Sequence, residues 1–213
     1  MKQFEQTAPR KTGRPLSFDR DAALHQAMLR FWRHGYEGTS LSDLTAAMGV
    51  TPPSIYAAFG DKKQLFREAV GLYLSGPITS ESIIDQAATA QQAAWGLLRA
   101  SAIGFTGATT PPGCLLASST ISCSAACADV QRELAAMRRK IEKRLSDKIL
   151  RAIKSGEMSA SGNAGALAGH TMAVIQGMST LARDGAKRAK LLRVATTAML
   201  AWTGCAKSNC ADN

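Results

Sequence analysis

Hydrophobic residues recur at helical spacing along most of the chain, and the pattern is clearest in the first 75 residues. A helix is predicted over residues 18–34, because three apolar residues fall at i, i+4 and i+7: Leu24, Met28 and Phe31. A shorter helix is predicted directly after Ser40, where a second apolar stripe falls at i, i+3 and i+7: Leu41, Leu44 and Met48. The pattern indicates an all-α fold.

The ends of the short helices carry residues that favour helix starts and stops. Ser40 is a typical N-cap, and Asp43 three residues later completes a capping box. Gly49 is predicted to end this helix, since glycine accepts the left-handed conformation of a tight turn. Thr51 is predicted to cap a second short helix, with Pro52 at its first position, where the missing N–H costs nothing.

The second short helix is predicted to end at Gly60, and a third helix follows it. Asp61 is the expected N-cap of this third helix, with Gln64 as its reciprocal partner. An apolar stripe predicts that the third helix joins an N-terminal head to the rest of the chain: Leu65, Ala69, Leu72 and Tyr73.

Two short helices joined by a glycine turn form a helix-turn-helix, whose second helix enters the major groove of DNA. Hydroxyl groups suit phosphates and base edges, and prolines offer apolar contact to thymine methyl groups. A lysine in the first turn of the third helix opposes the helix dipole, which favours a phosphate nearby. An ordinary α-hairpin is the alternative. The candidate DNA contacts are Thr39, Ser40, Thr51, Pro52, Pro53, Ser54, Tyr56 and Lys62.

The residues of this head resemble a known family. Phe-Trp-Arg-His-Gly-Tyr-Glu-Gly-Thr-Ser at residues 31–40 and Ser-Ile-Tyr-Ala-Ala-Phe-Gly-Asp-Lys at residues 54–62 strongly resemble the N-terminal domain of TetR-family transcriptional regulators. The resemblance is close over residues 14–75 and loose elsewhere. It implies a one-component repressor with a DNA-binding head on an all-helical body, which dimerises, binds a small ligand and transmits binding through the third helix.

The resemblance divides the chain into a basic arm, a helix-turn-helix domain, a ligand-sensing and dimerisation domain and a polar tail: residues 1–16, 17–61, 62–204 and 205–213. Arg14 belongs to an arm that such regulators place near the minor groove, where arginine suits narrow A·T tracts. A solvated tail is the alternative for the arm. By resemblance, helices over residues 163–183 and 187–204 pair with those of a second subunit in a homodimer; the pattern alone also fits an internal hairpin.

Helical stretches and breaks alternate through the rest of the chain. Residues 79–107 are alanine-rich and predicted to be helical, residues 109–113 form a break, and residues 128–155 give the longest helix. One face of that helix is basic and is predicted to be solvated, with an acidic partner or a membrane surface as the alternative: Arg138, Arg139, Lys140, Lys143, Arg144, Lys148, Arg151 and Lys154.

Cys114 is the strongest candidate for a reactive side chain. It follows a Pro-Pro-Gly run and opens a predicted helix, whose dipole and free N–H groups stabilise a thiolate. The run resembles a Gly-Cys element in one branch of the TetR family, some members of which sense electrophiles or oxidants through this cysteine. A small apolar residue packed under the loop is the alternative. Cys123 and Cys127 are predicted to be buried thiols, and no disulfide framework is expected.

The position of a ligand pocket does not follow from the pattern, but helices that should converge supply candidate wall residues. Plain core is the alternative, and the favoured one for most of them; they accompany Cys114 as the predicted sensor site: Trp95, Phe105, Met137, His170, Met172 and Gln176.

Composition sets further limits. The 213-residue chain carries a net charge of +10, but residues 21–75 hold five basic and five acidic side chains, so net charge supports DNA binding only weakly. No apolar run approaches the roughly 18 residues of a membrane span, and no signal peptide is visible, so a cytoplasmic location is expected.

No catalytic constellation, cofactor motif or metal-ligand spacing is visible, which predicts a regulator that is not an enzyme. A basic helical adaptor without sequence-specific DNA binding is the alternative function.

Overall fold

The computed structural model describes residues 18–76, 78–118, 127–159 and 163–203, and every regular element within these ranges is a helix. The helices, α1 to α11 in chain order, are Arg20–His34, Leu41–Met48, Pro52–Phe59, Lys62–Leu74, Ser80–Gln86, Ala90–Gly104, Leu115–Ser118, Ala128–Lys154, Ala164–Arg183, Arg188–Ala198 and Leu200–Thr203. The predicted all-α fold is confirmed. The predicted arm, with Arg14, and the predicted tail lie outside the described residues.

Two predicted helical stretches are each divided in the structure. The stretch over residues 79–107 is interrupted at Ala87, whose backbone is extended, and α6 begins after Thr89, whose hydroxyl accepts from the backbone N–H of Gln92 at 3.0 Å. The stretch over residues 187–204 is divided at Met199. Alanine spacing cannot reveal the first break, because alanines fit the same helical face on both sides of it.

Helices α1 to α4 form the head around a core of aromatic and aliphatic side chains. The rings of Phe31 and Phe66 meet edge to face with centroids 5.0 Å apart, and Leu44, Ile55 and Phe59 are buried beside them. Four elements therefore share one core, which fixes the angle at which α3 is held.

The head core continues into the body without a gap. Leu116 and Leu134, from α7 and α8, are buried in the same cluster as Leu65 and Phe66 of α4. The helix α4 therefore packs in the head and on the body at once, as its apolar stripe predicted. The boundary drawn between residues 61 and 62 falls at the start of this shared helix and stays a prediction.

The rest of the body is built around α9, which packs against α6, α8 and α10. Two further clusters of buried side chains hold these helices together. One contains Ile84, Leu97, Leu145, Ile149 and Trp202, and the other contains Leu98, Phe105, Met178, Leu191 and Ala195.

The basic face of α8 is less solvated than predicted, because α5 lies along it. Arg144 forms a two-pronged ion pair with Asp85, and Lys140 Nζ lies 2.7 Å from Glu81 Oε1. Lys148 Nζ donates to the carbonyl oxygen of Ala87 at 2.6 Å. Each exposed pair contributes little stability, but together they orient α5 on α8.

Cys127 was predicted to be a buried thiol, and this prediction is corrected. The residue is buried, but it is disulfide-bonded, and the second sulfur lies outside the described residues. Cys127 stands at the N-cap of α8, and Cys123 lies outside the described residues.

Candidate nucleic-acid interface and effector cavity

The turn between α2 and α3 has the predicted chemistry. Ser40 Oγ accepts from the backbone N–H of Asp43 at 3.0 Å, and Asp43 Oδ2 accepts from the backbone N–H of Ser40 at 2.8 Å. The Ser40 hydroxyl also donates to Asp43 Oδ2 at 2.6 Å, and this hydrogen bond, followed by the one from the Ser40 backbone N–H, holds the pKa of Asp43 below its usual value. Gly49 has φ 66° and ψ 31°, the left-handed conformation that glycine adopts without strain. The predicted capping box and glycine turn are confirmed.

Thr51 occupies the N-cap position of α3, but its hydroxyl does not cap the helix, contrary to the prediction. Thr51 Oγ1 lies 2.9 Å from Ser54 Oγ, so the two hydroxyl groups pair with each other. Pro53 has no N–H to offer, and the N–H of Ser54 donates to the Thr51 carbonyl oxygen at 3.0 Å. No backbone donor is left for a side-chain cap at this end.

The candidate DNA contacts on α3 lie at its solvent side. Thr51, Pro52, Pro53 and Tyr56 are exposed, and Ser54 is half-buried. The side chain of Tyr56 is 54% exposed, which is unusual for a large aromatic residue and leaves its hydroxyl free to reach a partner. The opposite side of α3 is anchored in the head core by Ile55 and Phe59.

Ser40, Thr39 and Lys62 take different positions around α3. Ser40 is exposed at the start of α2. Thr39 is fully buried, and its hydroxyl donates to the Gly35 carbonyl oxygen at 2.7 Å, so its side chain is not available to DNA. Lys62 Nζ lies 4.6 Å from the centroid of the Tyr36 ring, and partial burial lowers the pKa of this lysine.

A cavity of about 260 Å³ lies between the head and the body. Trp32 of α1 and Tyr73 of α4 form its wall on the head side. The body supplies the rest of the wall from α5 to α9 and the loop before α7, including Ile83, Leu97, Ser101, Phe105, Cys114, Leu116, Arg138, Ile141, Met172, Ile175 and Gln176.

The structure places Cys114, Phe105, Met172 and Gln176 at this cavity, and it places three other candidates elsewhere. Trp95 is half-buried beside a different depression, Met137 packs against the head core, and His170 is exposed. A shift of one position along a helix turns a side chain by roughly 100°, so convergence of helices alone could not assign these three correctly.

The loop that carries Cys114 is bonded to both the head and the body. The backbone N–H of Cys114 donates to Ser179 Oγ at 2.8 Å, and the Trp32 indole N–H donates to the Gly113 carbonyl oxygen at 2.9 Å. The Tyr73 hydroxyl donates to Cys114 Sγ at 3.5 Å. Burial, followed by the charge of Cys114, raises the pKa of Tyr73 well above its usual value.

Two guanidinium groups lie near Cys114. Burial lowers the pKa of Arg138 and of Arg183, and in both cases the negative charge of a Cys114 thiolate opposes that shift. Cys114 directly precedes α7, whose described part is Leu115–Ser118. Arg183 also joins body to head, since Nη2 donates to the Trp32 carbonyl oxygen at 2.6 Å.

Within the described ranges, no cluster of three or more histidine, cysteine or carboxylate side chains is placed to hold a metal ion. The same ranges contain no helix that is both long enough and apolar enough to cross a bilayer.

The structure combines a helix-turn-helix head, whose second helix is exposed, with a helical body and a cavity beside the head. These features define a class of protein, the one-component DNA-binding regulators. The sequence profile of the bacterial regulatory proteins of the tetR family matches residues 23–69, and that of the tetracyclin repressor-like C-terminal domain matches residues 97–199. The chain belongs to the TetR family of bacterial transcriptional regulators. This membership confirms the prediction that it is a regulator and not an enzyme.

Two of the similar proteins match most of the chain, and a third matches a shorter part of it. The chain is 34% identical to the HTH-type transcriptional repressor ComR of Escherichia coli over 199 residues, which cover 92% of this chain and 95% of ComR. It is 45% identical over 64 residues to YezE of Bacillus subtilis, an uncharacterized HTH-type transcriptional regulator, with 30% and 33% of the two chains covered. Among solved structures, a triple cysteine mutant of the regulator CifR bound to 26-bp operator DNA is similar. It has a TM-score of 0.84 and 38% identity, and the match covers 89% of this chain and 100% of CifR.

Proposed function

We propose that the protein represses transcription by binding a pseudo-palindromic operator as a homodimer in the cytoplasm, and that a small molecule in the cavity or modification of Cys114 releases it. The observation that carries this proposal is the position of the cavity. Trp32 and Tyr73, which wall it, belong to the helices α1 and α4 that build the head. A molecule in the cavity therefore touches the part that must move.

The proposed DNA contacts follow the exposed surface around α3. They exclude Thr39, whose side chain is buried, and they retain Arg14 as a prediction for the arm. The complete set is Arg14, Ser40, Thr51, Pro52, Pro53, Ser54, Tyr56 and Lys62. The operator complex of CifR supports this assignment, because that protein has the same fold and binds double-stranded DNA.

The proposed dimer forms through α9 and α10. Gly177 of α9 is exposed with no neighbour within 4 Å of its Cβ position, and Leu200 just beyond α10 is 65% exposed. Small and apolar residues at such a surface allow helices of a second subunit to approach closely. Two-fold symmetry then places two heads about 34–36 Å apart, one turn of the duplex, when the dimer is bound to DNA.

Release follows from two states of the dimer with different head spacing. DNA favours one spacing, and a ligand in the cavity or a modified Cys114 favours the other. A coupling of about 1–3 kcal/mol between the two sites would change DNA affinity from several-fold to about a hundredfold.

Operator binding is expected to be tight and steeply salt-dependent. A dimer that neutralises about six or more phosphates should lose roughly a thousandfold in affinity between 50 and 200 mM salt. Fluorescence anisotropy of a labelled duplex from upstream of the protein's own gene measures this, with a scrambled duplex of equal length as control. Equal affinity for both duplexes would favour the basic adaptor instead.

Cys114→Ser is expected to abolish the response to a thiol-reactive electrophile. N-ethylmaleimide adds to the thiolate within the cavity, where the adduct should displace Tyr73 and weaken operator binding by about tenfold, within the range of such couplings. The Cys114→Ser protein should bind the operator normally, and the reagent should not change its affinity. Cys205→Ser, which removes a cysteine of the C-terminal tail, is the control and should respond as the unaltered protein does. A full response from Cys114→Ser would remove the cysteine from the mechanism and leave a reversible ligand.

A further inference from the structure

The cavity between head and body has an unbalanced charge. Among the described residues that line it, Arg138 is the single charged side chain, and none is a carboxylate. The remaining wall is mostly apolar, with a few hydroxyl, amide and thiol groups such as those of Ser101, Gln176 and Cys114. A ligand in this cavity therefore meets one positive group in apolar surroundings.

Arg138 differs from three basic neighbours on its helix in having no carboxylate partner among the described residues. Lys140, Lys143 and Arg144 each have a carboxylate partner. In the described part of the chain, Arg138 makes one side-chain hydrogen bond, from Nη1 to the Leu116 carbonyl oxygen at 2.6 Å, and no ion pair. A guanidinium has five N–H donors, so most of those on Arg138 remain available.

A half-buried guanidinium without a counter-ion is costly, because burial removes water that would solvate its charge. A thiolate at Cys114 would supply negative charge nearby, but a single sulfur does not match the planar fork of donors. A carboxylate does match it, since its two oxygens accept parallel hydrogen bonds from the guanidinium.

The size of the cavity limits the rest of the ligand. A cavity of 150 Å³ holds benzene, so about 260 Å³ has room for roughly ten non-hydrogen atoms. After a carboxylate is placed at Arg138, the remaining atoms lie among Leu97, Ile141 and Ile175 of the body and beside Trp32 of the head. These surroundings favour a phenyl ring or a short alkyl chain.

From these observations we infer that the effector is a compact apolar carboxylate whose anionic group pairs with Arg138. The inference rests on the proposed function, because it names the chemistry of the molecule that the cavity would bind. It also gives a role to a residue that the sequence pattern had placed on a solvated face.

The test compares an acid with its neutral amide. 3-Phenylpropionate and 3-phenylpropanamide differ in charge but hardly in shape, and isothermal titration calorimetry measures their binding to the full-length protein. The acid is expected to bind at least about tenfold more tightly than the amide, the minimum that a charge-assisted bidentate pair should supply.

Three variants at two neighbouring residues locate the effect. Arg138→Gln keeps a hydrogen-bond donor but removes the charge, and it should bring the affinity for the acid down to that for the amide. Arg138→Lys should restore part of the preference. Arg139→Gln removes the same charge from the next position, where the side chain is exposed, and it should leave the preference intact.

Equal binding of acid and amide by the unaltered protein, failure of both to bind, or a preference that survives in Arg138→Gln would each overturn the inference. Operator anisotropy in the same samples keeps the two proposals separate. If the acid binds through Arg138 but does not release DNA, the ligand class stands and the proposed release mechanism fails. If the protein never binds the operator, the repressor proposal fails and calorimetry still decides the ligand class.

Discussion

Ser54→Glu is expected to weaken operator binding about a hundredfold without lowering the stability of the fold. Ser54 lies in the first turn of α3, at the surface proposed to face the phosphates of the major groove. A carboxylate at this position would lie close to the DNA phosphates, and such like-charge contacts cost several kcal/mol of binding free energy. The expected hundredfold loss of affinity corresponds to about 3 kcal/mol. The same carboxylate is favourable to the positive end of the α3 dipole, so the helix itself should be unharmed.

Gln92→Glu is the matched control for this prediction. Gln92 occupies the corresponding third position of α6, is exposed, and lies behind a threonine N-cap as Ser54 does. The Gln92→Glu substitution introduces the same charge in the body and should leave operator affinity unchanged. Anisotropy titrations together with thermal unfolding test both variants, and wild-type affinity in Ser54→Glu would remove α3 from the interface.

Gly113→Ala is expected to lower the free energy of unfolding by about 4 kcal/mol, the largest stability effect predicted for the described chain. The backbone of Gly113 has φ 81°, a region that favours glycine. A Cβ atom at this position would lie 2.8 Å from the Ser179 carbonyl oxygen and 2.9 Å from Ser179 Oγ. Backbone strain and steric overlap would therefore act together.

Gly185→Ala separates the two causes. Gly185 has φ 88°, but its Cβ would meet no atom within 4 Å, so the strain acts without the overlap. A loss of about 1–2 kcal/mol is expected for this variant. Urea unfolding of both proteins measures the difference. If Gly113→Ala costs no more than Gly185→Ala, the loop before Cys114 is not packed tightly on α9.

The head was predictable from sequence because its information is local. Ser40, Asp43 and Gly49 act on backbone groups within a few residues, so the residue types and spacings were sufficient to place the helix ends. Thr51 shows the limit of this reasoning: its position was correct, but Pro53 has no N–H, and the N–H of Ser54 donates to the Thr51 carbonyl oxygen instead of to its hydroxyl.

The cavity was much less predictable, since it depends on contacts between distant segments. Arg138 lies beside the apolar stripe of α8, but the periodicity of one helix does not reveal that the neighbouring helices leave a cavity at this position. His170 and Trp95 failed as wall residues for the same reason. The burial of Thr39 likewise depends on a hydrogen bond to the end of α1, which a pattern of hydroxyl residues does not contain.

The head and the body both line the cavity, so the proposed effector site and the proposed DNA site are coupled. Because Trp32 and Tyr73 belong to helices of the head, any change that DNA imposes on the head also changes the site that an effector must fill. Linkage then requires that the operator weaken effector binding by the same factor by which the effector weakens operator binding. Protein held on DNA would need more effector than free protein, so the effector concentration that releases an operator would rise with the affinity of the protein for that operator.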